Sequence, residues 1–303
     1  MKSVEKVVAW LRAVKPVRVY KLYSSRGGNL SAAGMGFQSL FATFAAVWVG
    51  FSIAAIVIQG DQARLQAVIN FINTQVPGLI TTGGLIDPNQ LMTATALGFS
   101  SALSLIILSY TALNWLEYTR VAFRRTFGLP VLMSSFFLRK VRDVILALAY
   151  GAVILVSSLL SFLSTGFLTW ILGLLGVNDT TFVKVVIRIA TGLFVLGLDM
   201  VILASMIRML SGVKIPRKPL WLGSLYGAIA VGLLKIGGGF LMGSASRNPL
   251  LASFAVLIVL LLWFNLIARA YLLSVAWIAV SLEDRGESPV DAKSVRNTRK
   301  VVA

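Results

Sequence analysis

The chain has no cysteine and no histidine. No disulfide, thiol nucleophile or Cys/His zinc site can form, and the side chain that most often serves as general base near neutral pH is missing. Acids are scarce too: 11 Asp and Glu stand against 28 Lys and Arg in 303 residues, a net charge of +17. The acids are scattered, and no clustered pair of them lies inside an apolar run. Gly237-Gly238-Gly239 falls within such a run, without the strand–turn–helix setting of a phosphate loop, and no Walker-type motif exists. No enzyme activity, catalytic residue, metal or cofactor is expected. Charged residues of both signs make only 13% of the chain, against roughly 25% in a soluble domain. A soluble globular protein is excluded.

What fills the chain instead is apolar. Hydrophobic residues make up 57%, and several runs exceed the roughly 20 residues that cross a hydrocarbon core. The fold class is an all-α integral membrane protein: a bundle of six transmembrane helices plus short amphipathic interfacial helices. Spans are expected at about 31–58, 91–116, 144–175, 182–209, 220–242 and 250–282 within a transmembrane domain of 30–282. Residues 1–29 form a basic amphipathic segment, with Val4, Val7, Val8, Leu11 and Val14 on one helical face and Trp10 beside them. This reads as a helix in the headgroup layer, or as a solvated basic tail that only sets topology. Met1 to Arg26 has no short apolar core before a cleavage site, so the first span is expected to stay in the protein. Leu65, Val68, Ile69, Ile72 and Val76 recur at helical spacing in an outer amphipathic helix at 62–76, stopped by Pro77-Gly78. It is a lid or simply rests on the interface. Ser157, Ser158, Ser161, Ser164 and Thr165 in the long third span bond back to their own helix or line a polar path. The polar tail 283–303 lacks periodicity and reads as disordered.

The basic residues orient this bundle. With the N-terminus inside, the arm before the first span, the loop after Glu117, the stretch from Arg208 to Lys218 and the tail hold most of the 28 Lys and Arg; only Arg64 and Arg247 fall in outer segments. Positively charged loops stay on the cytoplasmic side. Both termini are therefore expected in the cytoplasm, N-in and C-in. Charges placed this way meet anionic phospholipid headgroups rather than nucleic acid. Membrane lipids are the expected partners, and the sequence leaves homo-oligomerisation open.

Four stretches carry a resemblance. LSAAGMGFQSLFATFAA at Leu30 to Ala46, ALNWLEYTRVAFRRTFGLP at Ala112 to Pro130, PRKPLWLGSLYGAIAVGLLK at Pro216 to Lys235 and the apolar run from Leu250 to Val280 follow one another in an order that resembles the YihY/BrkB family of bacterial inner-membrane proteins, leaning toward its YhjD-like branch. The match covers about Leu30 to Ala279. It departs from the family's pattern at Asn248-Pro249, where the family has Tyr-Gly, and at Ser274-Val275-Ala276, where the family has Gly-Ala-Glu. Any role of that glutamate does not carry over. The resemblance implies a six-helix bundle in the inner (plasma) membrane. It adds a virulence-factor label, an older mistaken one as ribonuclease BN, and a recurrent link to transport of lipid or envelope components.

A charge at bilayer depth is costly and marks a partner or a task. Threading places Asp199 slightly inward of the middle of the fourth span and Arg269 at matching depth in the sixth, with Glu117 a second acid near the inner interface. Asp199 and Arg269 are expected to form a structural buried pair. Arg188 and Lys235 share the outer half, with Lys184 and Arg247 nearer the surface, and no acid is expected at their depth. Cations gathered without a counter-ion point to a cavity for an anion such as a lipid phosphate, or to separate snorkelling to the interface. The leading functional expectation is a transporter or flippase-like facilitator for an anionic lipid or envelope component. The alternative is a non-transporting scaffold that recruits partners through its basic cytoplasmic face.

Overall fold

The computed structural model describes residues 14–58, 66, 69–70, 73, 80, 99–130, 140–150, 181–245 and 252–289, with side chains except at 47–58, 99–109, 112, 181–188, 191, 239–245 and 252–255. Everything described is helix or short connection, and no strand occurs among these residues. The helices are α1 (Lys15–Ser25), α2 (Gly28–Ile58), α3 (Phe99–Thr126), α4 (140–150), α5 (Thr181–Ser211), α6 (Arg217–Ala245) and α7 (Ala252–Glu283). Among the described residues three helical stretches are long and apolar enough to cross a membrane: Gly192–Ser211, Arg217–Gly238 and Val256–Glu283. The N-terminal stripe before Val14, the serines at 157–165, Arg247, the loop 81–90 and the tail from 290 lie outside the described residues. Within the expected outer helix, residues 66, 69–70 and 73 are helical, and the Asn73 side chain bonds both backbone groups of Ile80.

The centre of the bundle is α7, which packs against α6, α2, α1 and α3, while α5 leans on α6 and α3. Inside a bilayer, apolar tails compete equally for apolar side chains, so helices associate where small residues let backbones approach. Gly36 of α2 is such a place: a Cβ there would meet the backbone nitrogen of Asn265 at 2.9 Å. On α6, a Cβ at Gly223 or Gly227 would collide with Ile278 of α7 or Leu203 of α5. Ser274, at the departure from the family's Gly-Ala-Glu, donates from Oγ to the Gly223 carbonyl at 2.5 Å.

One end of the bundle is basic, and several helix ends meet there. The expected basic loop after Glu117 begins as helix: α3 continues to Thr126, well past Leu116, because nothing before Gly128 and Pro130 breaks it. Gly128 takes a φ of +74°, a left-handed conformation that other residues enter at a cost, and the Arg26 guanidinium covers the space a side chain would need. The connection after α5 turns at Gly212 (φ +66°) and is pinned by burying Val213 and Ile215.

At the same end α1 is fastened to the C-terminus of α7. Lys15 pairs with Asp284 at 3.1 Å, and Arg18 reaches both Asp284 and Glu283. Positions read from sequence as the start of a loose tail therefore serve as an anchor. The Arg18 hydrogen bond holds the Asp284 carboxyl below its usual range; slight burial opposes this, and Lys15 adds to it. An acid with a depressed pKa contributes stability above its unfolded value, about 3.9, and that contribution disappears as pH falls through the lower folded value. A single cysteine labelled at the exposed Tyr20, in a chain with no other cysteine, should report α1 docked from about pH 7 down to about pH 4 and progressively released as pH falls further, through the lowered value of Asp284. Asp284→Asn should show the released signal already at neutral pH.

Candidate functional site

The three apolar stretches carry two charges that meet. Lys235 of α6 donates from Nζ to both carboxylate oxygens of Asp199 of α5, at 3.0 and 2.9 Å. The side chains keep only 24% and 20% of their exposure, so the pair is shielded but not sealed. Trp263 of α7 is buried and points Nε1 toward the carbonyl of Leu234, the residue before Lys235, at 3.5 Å.

This corrects two expectations. Asp199 is held by Lys235, not by Arg269, and Lys235 does have an acid within reach. At about 1.5 Å per residue, Asp199 lies about 18 Å from the Ser211 end of α5, and Lys235 about 27 Å from the Arg217 end of α6. Side chains lean toward the N-terminus of their own helix. On these antiparallel helices the aspartate therefore leans away from the basic end and the lysine toward it, which closes the gap. Matching backbone depths alone selects Arg269, but α5 packs on α6, and its main contacts do not include α7. Arg269 is exposed and lies instead toward α1. There, burial pushes the Tyr23 phenol up and the Arg269 guanidinium works against it.

Gly192 stands outward of the pair, seven residues before Asp199 on the same face of α5, and Gly232 of α6 stands three residues before Lys235, on its basic-end side. Among the described residues nothing lies within 4 Å of the place a Cβ would take at either glycine. Arg188 is four residues before Gly192, on that same face of α5. The side chains of Arg188 and Lys184 lie outside the described residues, as does Arg247.

The family model described as Virulence factor BrkB matches residues 19–298. The chain belongs to the BrkB family. No curated protein and no solved structure matches it. Membership and the apolar helices together make this BrkB protein a membrane protein.

A second cluster in the BrkB chain was hidden in its basic motifs. Among the described residues Arg124 of α3 is the largest fully buried side chain, 1% exposed. Its Nε donates to the Pro130 carbonyl at 2.8 Å and its Nη1 to the Ser211 carbonyl at 2.7 Å. Arg142 of α4 donates to the Met209 carbonyl at 2.5 Å. Two guanidinium groups thus clasp the C-terminus of α5, where carbonyls lack helical partners and the dipole favours cations. Beside them Arg120 of α3 forms a buried pair with Asp143 of α4. Glu117, expected as a possible anion for the intramembrane pair, instead faces Lys140 at 3.5 Å, and Lys140 also bonds Asn114 at 2.6 Å. Arginines read from the sequence as topology signals are here helix-end ligands. The legible cue was Arg124 standing next to Arg125 just before Gly128-Leu129-Pro130, a helix stop that needs its carbonyls satisfied.

Proposed function

We propose that this BrkB protein is a facilitator that moves an anionic lipid or envelope component across the bacterial inner membrane, with six spans and both termini cytoplasmic. The observation that carries the reading is the Asp199–Lys235 pair at membrane depth, opening onto glycine-lined space below Arg188. A cation pair for a phosphate is broken by one acid, and that acid serves as a placeholder. In a low-dielectric setting one lysine does not hold two anions at once. An incoming phosphate therefore takes Lys235 only as Asp199 lets go, and the resting pair keeps the path closed to other ions. Gly192 leaves room for the headgroup between the level of Arg188 and that of Lys235, and Gly232 leaves room on the side of Lys235 toward the basic end.

The test is transfer of fluorescent phosphatidylglycerol between leaflets of vesicles containing the reconstituted protein. Gly192→Leu with Gly232→Leu should leave the melting temperature within a few degrees of wild type, because no described residue lies within 4 Å of a Cβ at either position, and should abolish most of the transfer. Transfer equal to protein-free vesicles in the wild type, with no change in the variant, would leave the scaffold reading. That reading has its own support in the exposed Arg26, Arg125, Lys214, Arg217 and Lys218 at the basic end.

A further inference from the structure

Where α1, the first turns of α6 and the end of α7 meet, a cavity of about 190 Å³ opens at the basic end. Its lining includes an aromatic corner: Tyr226 and Trp277 pack with ring centroids 4.4 Å apart and planes tilted by 53°. The Asp284 carboxylate closes that corner. It already holds a cation, since Lys15 Nζ sits 5.3 Å from the Trp277 ring centroid and 3.1 Å from Asp284 Oδ2. An aromatic face and a carboxylate around one ammonium are the chemistry that recognises a primary amine. Arg285 also lines the cavity, as do Pro219 and Leu222 from the first turns of α6, and a guanidinium suits an anion.

An apolar track leaves the cavity along α6. Leu222, Tyr226, Ile229, Leu233 and Ile236 recur at spacings of three and four, and every one is exposed. On a membrane helix such a stripe faces acyl chains. A polar box at the basic end that runs into an apolar ridge has the shape of a lipid site, with headgroup and tails separated in the order a leaflet presents them.

We propose that this cavity binds an amine-bearing phospholipid of the phosphatidylethanolamine class. The lipid ammonium takes the place of Lys15 between Trp277 and Asp284, the phosphate meets Arg285, and the chains lie along the α6 stripe. The exchange conserves charge at Asp284, one ammonium for another, and releases Lys15 into the headgroup layer. Lys15 is then an internal stand-in for the headgroup, and lipid occupancy loosens α1 from α7. A choline headgroup fits the aromatic corner but has no N–H for Asp284. A glycerol headgroup brings no cation at all. The inference stands apart from the Asp199–Lys235 reading, and neither depends on the other.

The experiment is lipid binding to the full chain in detergent, followed by native mass spectrometry. The probes are short-chain phosphatidylethanolamine, phosphatidylcholine and phosphatidylglycerol, and free phosphoethanolamine. Phosphatidylethanolamine should bind most tightly, and Trp277→Leu should weaken it about fivefold. Lys15→Ala should strengthen it, because the internal competitor is gone, and a misfolded variant does not gain affinity. Equal binding of phosphatidylglycerol or phosphatidylcholine would overturn the proposal, as would Lys15→Ala leaving phosphatidylethanolamine binding unchanged or weaker. Free phosphoethanolamine binding as tightly as the lipid would overturn the assignment to a lipid.

Discussion

Arg124→Met should cost about 3–6 kcal/mol of stability, since each hydrogen bond from a charged donor is worth about 1.5–3 kcal/mol and two are lost. The Ser211 and Pro130 carbonyls would be left facing an apolar side chain in a site that excludes water. The C-terminus of α5 and the connection through Val213 should loosen together, because Arg124 spans both the end of α3 and the end of α5. Arg124→Lys should recover little. An ammonium is a single point of donation, whereas the guanidinium reaches two carbonyls from one rigid plane. Two measurements check this. Denaturant unfolding in detergent gives the cost. Maleimide labelling of Val213→Cys, a buried position in a chain without other cysteines, gives the local opening. Labelling should be slow in the parent and fast with Arg124→Met.

Asp143→Ala should be similarly damaging, about 3–5 kcal/mol, because it strands the buried Arg120 guanidinium without its counter-ion. Asp143 is 0% exposed, and Arg120 is nearly as buried. The informative comparison is the double variant Arg120→Met with Asp143→Leu. Two charges withdrawn from water repay much of their attraction as desolvation, so replacing both with apolar side chains of similar size should restore most of the stability. A double variant as unstable as the single one would mean that the pair orients α4 on α3 in a way packing alone does not. Thermal unfolding of the three proteins, followed by circular dichroism, decides between these outcomes.

The sequence carries the membrane class, the helical character and the family plainly, because long apolar runs and Gly-rich contact faces are local features. Gly36, Gly223 and Gly227 do what small residues in a membrane helix are expected to do. The site is less legible. Depth counted along the backbone pairs Asp199 with Arg269. That count omits the lean of each side chain along its helix and says nothing about which helices are neighbours. In sequence, Arg124 and Arg142 are indistinguishable from headgroup contacts, because a loop cation and a helix-end ligand have the same composition. Only the fold brings the C-terminus of α5 within their reach, and only the fold sets Asp143 against Arg120. Glu283 and Asp284 read as the opening of a tail because their partners, Lys15 and Arg18, lie at the far end of the chain.

The central functional claim is that Asp199 keeps Lys235 occupied until an anion arrives. A purely structural ion pair and a gate differ in one respect. Breaking a structural pair from either side has the same consequence, whereas breaking a gate from opposite sides has opposite consequences. The most direct measurement is photocrosslinking of a phosphatidylglycerol probe to the protein in nanodiscs, with label counted on peptides from 189–238. Asp199→Asn is expected to raise labelling there, because Lys235 is freed for the phosphate, and Lys235→Gln to lower it below the parent. Labelling that falls in both variants, or stays at the parent level in both, would contradict the gate and leave the pair as a tie between α5 and α6.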